Sequence, residues 1–362
     1  MRDISSRFLT REGAEALCTY VAKLNHLLSQ MSHREHLPTV AATFHAMNGI
    51  SSWAFTPNSD AKLTVMLTNL NDRLSKCTAG MNSITAGSII YGLKGLDVEH
   101  LSPEAHEEVA RTIRLVAQGL TRLPPGESLD HAGVSSIVHG LTTSLAVKDG
   151  IVAHATAKLL EAVEQRIPRA ATRMDEVGAL AGALVTLKPN AERYPSLCEK
   201  LFSAIAEPST GRLTYYQGES RDKIAWQVLQ QAYALHGVEM PESIQRFITN
   251  FEAPVVESRR QNLSEQRIEA YLKEYPNATL LNLAYQDGFE IDLVIRVGQT
   301  IVNVEVDGGY HDEPAKRIAD AQRDEHLQSK LQRFNFTIVR VPSNASQEHL
   351  FKALDEALVG EG

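Results

Sequence analysis

Cysteine is scarce in this chain of 362 residues: three copies, Cys18, Cys77 and Cys198, lie far apart with no C-x-x-C pair. That count and spacing exclude a disulfide framework and a locally encoded zinc site, and make a reducing compartment the default. Long apolar runs are also missing. None approaches the ~18 residues of a membrane span, and the start, Met1-Arg-Asp-Ile-Ser-Ser6, lacks the basic-then-apolar pattern of a secretory signal. The expectation is a soluble, cytoplasmic protein with no membrane partner; non-classical export to a host cell and delivery to an organelle stay open as alternatives. A basic excess is lacking as well. The formal net charge is -8, whereas a nucleic-acid binder usually carries a basic footprint.

Apolar residues are present in ordinary amount, 43% against 22% charged, which is the composition of a folded chain. At this length one core rarely suffices, so two domains are expected, or a repeat array with an attached domain. The acid is unevenly spread. Residues 251–362 hold 12 Lys and Arg against 19 Asp and Glu, leaving 24 against 25 for residues 1–250.

From about residue 36 to 250, Ala, Leu, Val and Ile recur at helical spacing with almost no strand-like alternation. A short apolar segment returns in four copies, Val40–Ile50, Ala86–Leu96, Val134–Leu141 and Val177–Leu187. Aligned on the pairs Ala46-Met47, Gly92-Leu93, Gly140-Leu141 and Ala183-Leu184, the copies lie 46, 48 and 43 residues apart. A second helical stretch falls between them, as Ala61–Leu74, Pro103–Leu120 and Val152–Ile167. This period predicts stacked helix pairs, an α-helical repeat (α-solenoid) of about four to five pairs over residues 1–250. Ile224–Leu235 would begin a fifth pair, Glu12–Leu28 would form an N-terminal cap helix, and Pro208–Asp222 reads as a loop.

Small residues at the repeated position, Gly92, Gly140 and Ala183, let helices approach closely, a packing role. His45, Tyr91 and His139 align one residue earlier; with no metal-ligand partner four residues on, the histidines read as packing residues. Repeat arrays present an extended surface to protein or nucleic acid. Arg111, Arg114, Arg122, Arg166, Arg169 and Arg173 are candidates for an RNA-binding stripe, the alternative being ordinary solvated helix faces.

After Pro254 the pattern changes. Ser264 can cap a helix to about Glu274; strands are expected at Thr279–Tyr285, Glu290–Arg296 and Ile301–Asp307, with Asp287-Gly288 and Gly298 at the turns. A helix over Ile318–Arg333, a strand over Thr337–Val341 and a helix over Gln347–Leu358 complete an αβββαβα order for residues 251–362. Alternation in the third strand puts Val302, Val304 and Val306 on one face and Asn303, Glu305 and Asp307 on the other. On its neighbour, Ile291, Leu293 and Ile295 oppose Glu290 and Asp292. Coincident polar faces would gather several carboxylates just before His311. Hard oxygen ligands of this kind suit Mg²⁺ or Mn²⁺, which orients water and neutralises charge on a phosphodiester. The alternative is an acidic face that is merely solvated.

The runs Glu290-Ile-Asp-Leu-Val-Ile295, Val304-Glu-Val-Asp-Gly-Gly-Tyr-His311 and Phe336-Thr-Ile-Val-Arg-Val-Pro342 resemble the RAP domain. They are similar also to the very-short-patch-repair nucleases; both groups share the PD-(D/E)XK endonuclease-like fold. The resemblance covers residues 260–345. RAP domains commonly follow helical repeats of octotricopeptide or FAST-kinase-related type in organellar RNA-binding and processing proteins. By position it implies Asp292 and Glu305 as metal-binding carboxylates, and Glu265 or Glu269 as a further acid. Asp307 stands where the nuclease motif places lysine, and the third metal ligand would be this residue. His311 is implied as general acid or base, the alternative being a surface loop histidine, and Arg323 or Lys330 as a source of positive charge, the alternative for both being solvated helix faces. The expected function is RNA binding, single-stranded or structured, with metal-dependent cleavage. A protein-interaction scaffold such as a bacterial effector, and a DNA nuclease, are the competing readings.

Overall fold

The structure is a computed structural model. It describes residues 37–49, 57–168, 170–206, 220–242, 244, 267–268, 271–272, 278–281, 285–291, 293–307, 314–342 and 345–359, with Thr19 and Lys23. The chain divides into two compact units, residues 1–232 and most of residues 233–362. The first is helical, and the second combines helices with a four-stranded sheet. Among the described residues no helix is long and apolar enough to cross a membrane.

The helices of the first part run α1 (Leu37–His45), α2 (Pro57–Cys77), α3 (Ser83–Tyr91), α4 (Pro103–Thr121), α5 (His131–Gly140), the short α6 (Thr142–Ala146), α7 (Gly150–Glu164), α8 (Met174–Leu187), α9 (Pro195–Ala206) and α10 (Ser220–His236). Their starts follow from local chemistry. Asn82 and Thr85 exchange hydrogen bonds at the head of α3, Ser102 accepts from Ala105 N–H before Pro103 opens α4, and Asp130 accepts from Gly133 N–H at α5. In α4 the apolar face Val109, Ile113, Val116, Leu120 is fully buried, at the spacing of one helical stripe.

Packing sorts the helices into two layers. α1 lies on α3, α3 on α5 and α5 on α8, while α2 lies on α4, α4 on α7 and α7 on α9. The repeated position explains how closely the first layer packs. A Cβ on Gly92 would stand 2.0 Å from the Phe44 carbonyl oxygen, and one on Gly140 would stand 2.4 Å from that of Ile90. Helix on helix at this distance excludes any side chain, and Ala183 at the matching position is fully buried. The second layer carries a polar link: buried Asn71 donates to the Glu108 carbonyl and carboxylate, both at 2.8 Å, and accepts from the Thr112 hydroxyl at 2.8 Å. The expected cap helix at Glu12–Leu28 lies outside the described residues, apart from helical Thr19 and Lys23. Of the expected loop Pro208–Asp222, the last three residues are helical, because α10 begins at Ser220.

The second unit contains β1 (Ala278–Leu281), β2 (Tyr285–Gln286), β3 (Phe289–Glu290), β4 (Leu293–Val297), β5 (Thr300–Asp307), α11 (Pro314–Leu331), β6 (Phe336–Pro342) and α12 (Gln347–Val359). The main sheet has the order β1-β4-β5-β6. β4 is antiparallel to β1 and to β5, and β6 joins β5 in parallel after α11. The expected strand Thr279–Tyr285 is two strands: β1 pairs with β4, whereas β2 and β3 form a separate ribbon. Asp287 and Gly288 turn that ribbon with φ of 51° and 82°, the left-handed pair that a tight two-residue hairpin requires. Ile268, Tyr271, Leu293, Ile295, Val302, Val304, Val341, Leu350 and Leu354 form the core on one face of the sheet; Ile291, Val294 and Leu327 form a smaller one against α11.

Gly92→Ala and Gly140→Ala are expected to destabilise the helical unit by about 1–3 kcal/mol or more through overpacking. Gly80→Ala, whose added carbon would meet only Leu37 Cδ2 at 3.9 Å, should be nearly neutral. Thermal melts followed by circular dichroism compare the three; equal shifts would show that the layer spacing does not depend on these glycines.

Candidate functional site

Alternation along β5 sends Val302 and Val304 into the larger core and turns Asn303 and Glu305 toward α11. Glu305 is only 2% exposed. One carboxylate oxygen lies 2.9 Å from a guanidinium nitrogen of Arg323, and the other accepts from Asn303 Nδ2 at 2.8 Å. Arg323 also donates to Asp324 at 3.2 Å, and Asp324 in turn accepts from Arg340 at 2.6 Å. Arg340 is the register partner of Glu305 on β6. A chain of alternating charge, Glu305–Arg323–Asp324–Arg340, thus joins β5, α11 and β6. Burial works against the Arg323 charge, but Glu305, Asp324 and Asp320 outweigh it and hold the guanidinium above its ordinary pKa. Asp320 is buried and pairs with Lys316 at 3.1 Å. The Oδ1 of fully buried Asn303 has no hydrogen-bond partner among the described residues.

The structure therefore brings Glu305 and Arg323 together. Arg323 is not the solvated helix residue that its charge alone would suggest. Lys330, in the last turn of α11, is exposed. Asp307 ends β5 opposite Pro342, and its side chain lies outside the described residues, as do Asp292, His311, Glu265 and Glu269. One expectation is corrected. Ile291 packs with Val294 and Leu327, on the face opposite Leu293 and Ile295. β3 ends at Glu290 and β4 begins at Leu293, so a single alternation does not run through residues 290–296. Among the described residues no group of three or more His, Cys, Asp or Glu is arranged to hold a metal ion. Alternation had put Asn303 on the Glu305 face without a role; Asp320, Asp324 and Arg340 were not named as site residues, and for the two aspartates the available signal was the helical spacing 316, 320, 323, 324, 327, which puts charge and Leu327 on one side of α11.

In the helical unit the candidate arginines are engaged within the protein. Arg111 pairs with Asp72 at 2.6 Å and Arg114 with Glu107 at 2.9 Å. Arg173 donates from Nε to Asp175 at 2.8 Å. Arg122 donates to the Thr78 hydroxyl at 2.9 Å, and Arg166 donates to the carbonyls of Leu123, Pro124 and Glu127 at 2.6–2.9 Å. The last two thus tie the ends of α4 and α7 to residues just after the preceding helix of the second layer. Arg169 lies outside the described residues.

The aligned rings form a ladder. His45 stacks on Tyr91 with centroids 5.5 Å apart, and Tyr91 stacks on His139 at 5.9 Å. Lys94 Nζ lies 5.6 Å from the centre of the Tyr91 ring. Burial pushes the His139 imidazole down to about 4 from 6.5, and the Lys94 charge adds to the shift. His139 is therefore neutral at pH 7. The chain matches no protein-family model and no curated protein.

Arg323→Met leaves Glu305 buried without its cation and should cost roughly 3–5 kcal/mol. Combining it with Glu305→Met should recover much of that loss, as measured by denaturant titration in a double-mutant cycle. Additive losses would show that the two side chains are not coupled.

For His139 the folded pKa lies below the unfolded one, so the unfolded chain binds more protons between pH 6.5 and about 4. Its contribution is complete above pH 6.5 and is lost as pH falls toward 4. The melting temperature of the wild type should drop across that window more steeply than that of His139→Phe. Parallel curves would remove the buried imidazole as the cause.

Proposed function

We propose that the chain is an RNA-binding protein in which residues 1–250 form an α-solenoid and residues 251–362 a RAP-like domain of the PD-(D/E)XK endonuclease-like fold. The observation that carries this reading is the C-terminal strand arrangement. Antiparallel β1, β4 and β5 are followed by the α11 crossover and a parallel β6, in a chain whose earlier residues form stacked helix pairs. That is the order which the resemblance implies.

In the hydrolytic form of the proposal, Asp292, Glu305 and Asp307 hold Mg²⁺ or Mn²⁺. The donors fit a hard cation: a carboxylate and, on the same face, the amide oxygen of Asn303, which has no partner among the described residues. Such an ion, when bound, offsets charge on the phosphodiester and lowers the pKa of a water. Asn303 and Arg323 fix the orientation of the Glu305 carboxylate, the usual task of groups behind a metal ligand. Arg323 offsets one of the three carboxylates, and the other two match a divalent charge. His311 would move the proton. A protein-interaction scaffold is the second reading, favoured by the acidic partners that Arg111, Arg114 and Arg173 already have.

The test uses the full chain, labelled RNA and DNA, and Mg²⁺ or Mn²⁺. Cleavage should be lost in Asp292→Asn and Glu305→Gln while RNA is still retained on filters. Cleavage that survives both changes would remove the metal mechanism. Retention of DNA in place of RNA would change the substrate, and retention of neither would favour the scaffold.

A further inference from the structure

The main sheet of the second unit has a long open edge. Among the described residues β6 pairs with β5 alone, over Phe336–Pro342, and no strand lies on its other side. The outward N–H and C=O groups of such an edge are a template for another chain, and proteins ordinarily guard it with lysine, proline or a bulge. β6 has proline only at its last position, Pro342, and its one charged side chain, Arg340, is held by Asp324.

Two helices flank this strand, one on each face of the sheet. α11 lies on the Glu305 face, whereas Leu350 and Leu354 of α12 join the core on the opposite face, with Val304 and Val341. Asp324 already reaches across to Arg340 on β6. Glu325, Gln328 and Gln332 follow at the spacing of one helical stripe, about 100° further round α11, and all three are exposed. With Phe336 and Thr337 at the start of β6, and Glu356 near the end of α12, they line a cavity of about 660 Å³. That volume is in the ordinary range of a ligand site, roughly 300–1,000 Å³. The cavity also touches Thr300, the first residue of β5, so it lies at the end of the sheet away from Asp307 and is separate from the carboxylate site described above.

Its chemistry indicates the occupant. Gln328 and Gln332 offer both donors and acceptors, as the free edge of a strand does. Glu325 and Glu356 place a carboxylate on each helical wall, and no cation lines the cavity among the described residues. Lys352 approaches Glu356 only to 3.8 Å, with both side chains exposed, a pairing of little strength in water. An extended peptide added to β6 would point successive side chains to opposite faces, one toward α11 and the next toward α12. Basic residues there would meet Glu325 and Glu356, and the acid excess of residues 251–362 would attract them from a distance.

We propose that the free edge of β6 and the adjoining cavity form a docking groove for an extended basic peptide of a partner protein, added as a fifth strand of the sheet. The inference goes beyond the RNA and metal readings and depends on neither.

The probe is the fluorescein-labelled peptide Thr-Val-Lys-Lys-Val-Thr-Thr, whose adjacent lysines would reach opposite walls, titrated with the full chain by fluorescence anisotropy. Glu325→Gln and Glu356→Gln, both at exposed positions and so safe for folding, should each weaken binding by about two- to fivefold, the range of one exposed ion pair. Lys330→Gln, on another side of α11, should leave it within about twofold. Of two peptides N-methylated at the odd or at the even amides, one should lose most of its binding, because only alternate amides face the sheet. Equal binding by both methylated forms, by both glutamate variants or by a peptide with Glu in place of Lys would overturn the groove. So would no binding at millimolar peptide. An oligouridylate that displaces the peptide, and that itself binds less well to the glutamate variants, would overturn the peptide as occupant in favour of nucleic acid.

Discussion

A pair of helices this short cannot bury its own apolar face, and the organisation of the first unit follows from that constraint. Along each layer a helix completes its burial against the next, as α3 does on α1 and α5 on α3. The recurring contact in the first layer is a helix laid directly on backbone: Gly92 against Phe44, Gly140 against Ile90. Close approach there brings the residue before each contact into register, which is why His45, Tyr91 and His139 fall on one line and stack. In the second layer the recurring device is an arginine. Arg122 and Arg166 each reach back beyond the end of the preceding helix of that layer, Arg122 to the Thr78 hydroxyl and Arg166 to the Leu123 carbonyl.

The second unit answers a different problem, a carboxylate placed inside a sheet-helix interface. Glu305 could not remain charged at 2% exposure without a cation and a donor, and Arg323 and Asn303 supply them. A buried ion pair is weak evidence for stability, since apolar residues of similar volume often do as well. Its geometric effect is clearer. Because Arg323 binds Glu305, and Asp324 binds Arg340, the rotation of α11 over β5 and β6 is fixed by directional contacts, with Leu327 the buried apolar anchor beside them. The same contacts orient the one carboxylate that both the fold and the proposed chemistry use.

Much of this was legible from residue order. The period of 43 to 48 residues fell on helices that lie one on the next, α1, α3, α5 and α8, and Gly92 and Gly140 marked the close contacts because an added Cβ would meet backbone there. In the sheet, alternation placed Val302, Val304 and Glu305 on the correct faces, since β5 is paired along its length. It failed at Ile291. That residue sits between two strands belonging to different sheets, and a period of two means nothing across such a break. Arginine was the other blind spot. A sequence shows how many guanidinium groups exist but not their acidic partners: Asp72 lies 39 residues from Arg111, and Thr78 lies 44 from Arg122. Arg323 failed in the opposite sense, reading as a surface residue although its partner is a buried carboxylate on another element.

The net charge of -8 takes on a different meaning once its parts are placed. Charge far from zero governs solubility and encounter with other charged molecules; it does not specify a site. In the C-terminal unit some of the acid is internal and compensated, as Glu305, Asp320 and Asp324 show through their contacts with Arg323, Lys316 and Arg340. In the helical unit, opposite charges pair along the second layer: Arg111 with Asp72, Arg114 with Glu107, Lys158 with Glu161 and Lys200 with Glu164. A polyanion approaching such a protein is not drawn in by a long-range field. Net charge therefore counts against long-range attraction of a polyanion and does not locate a site on either unit.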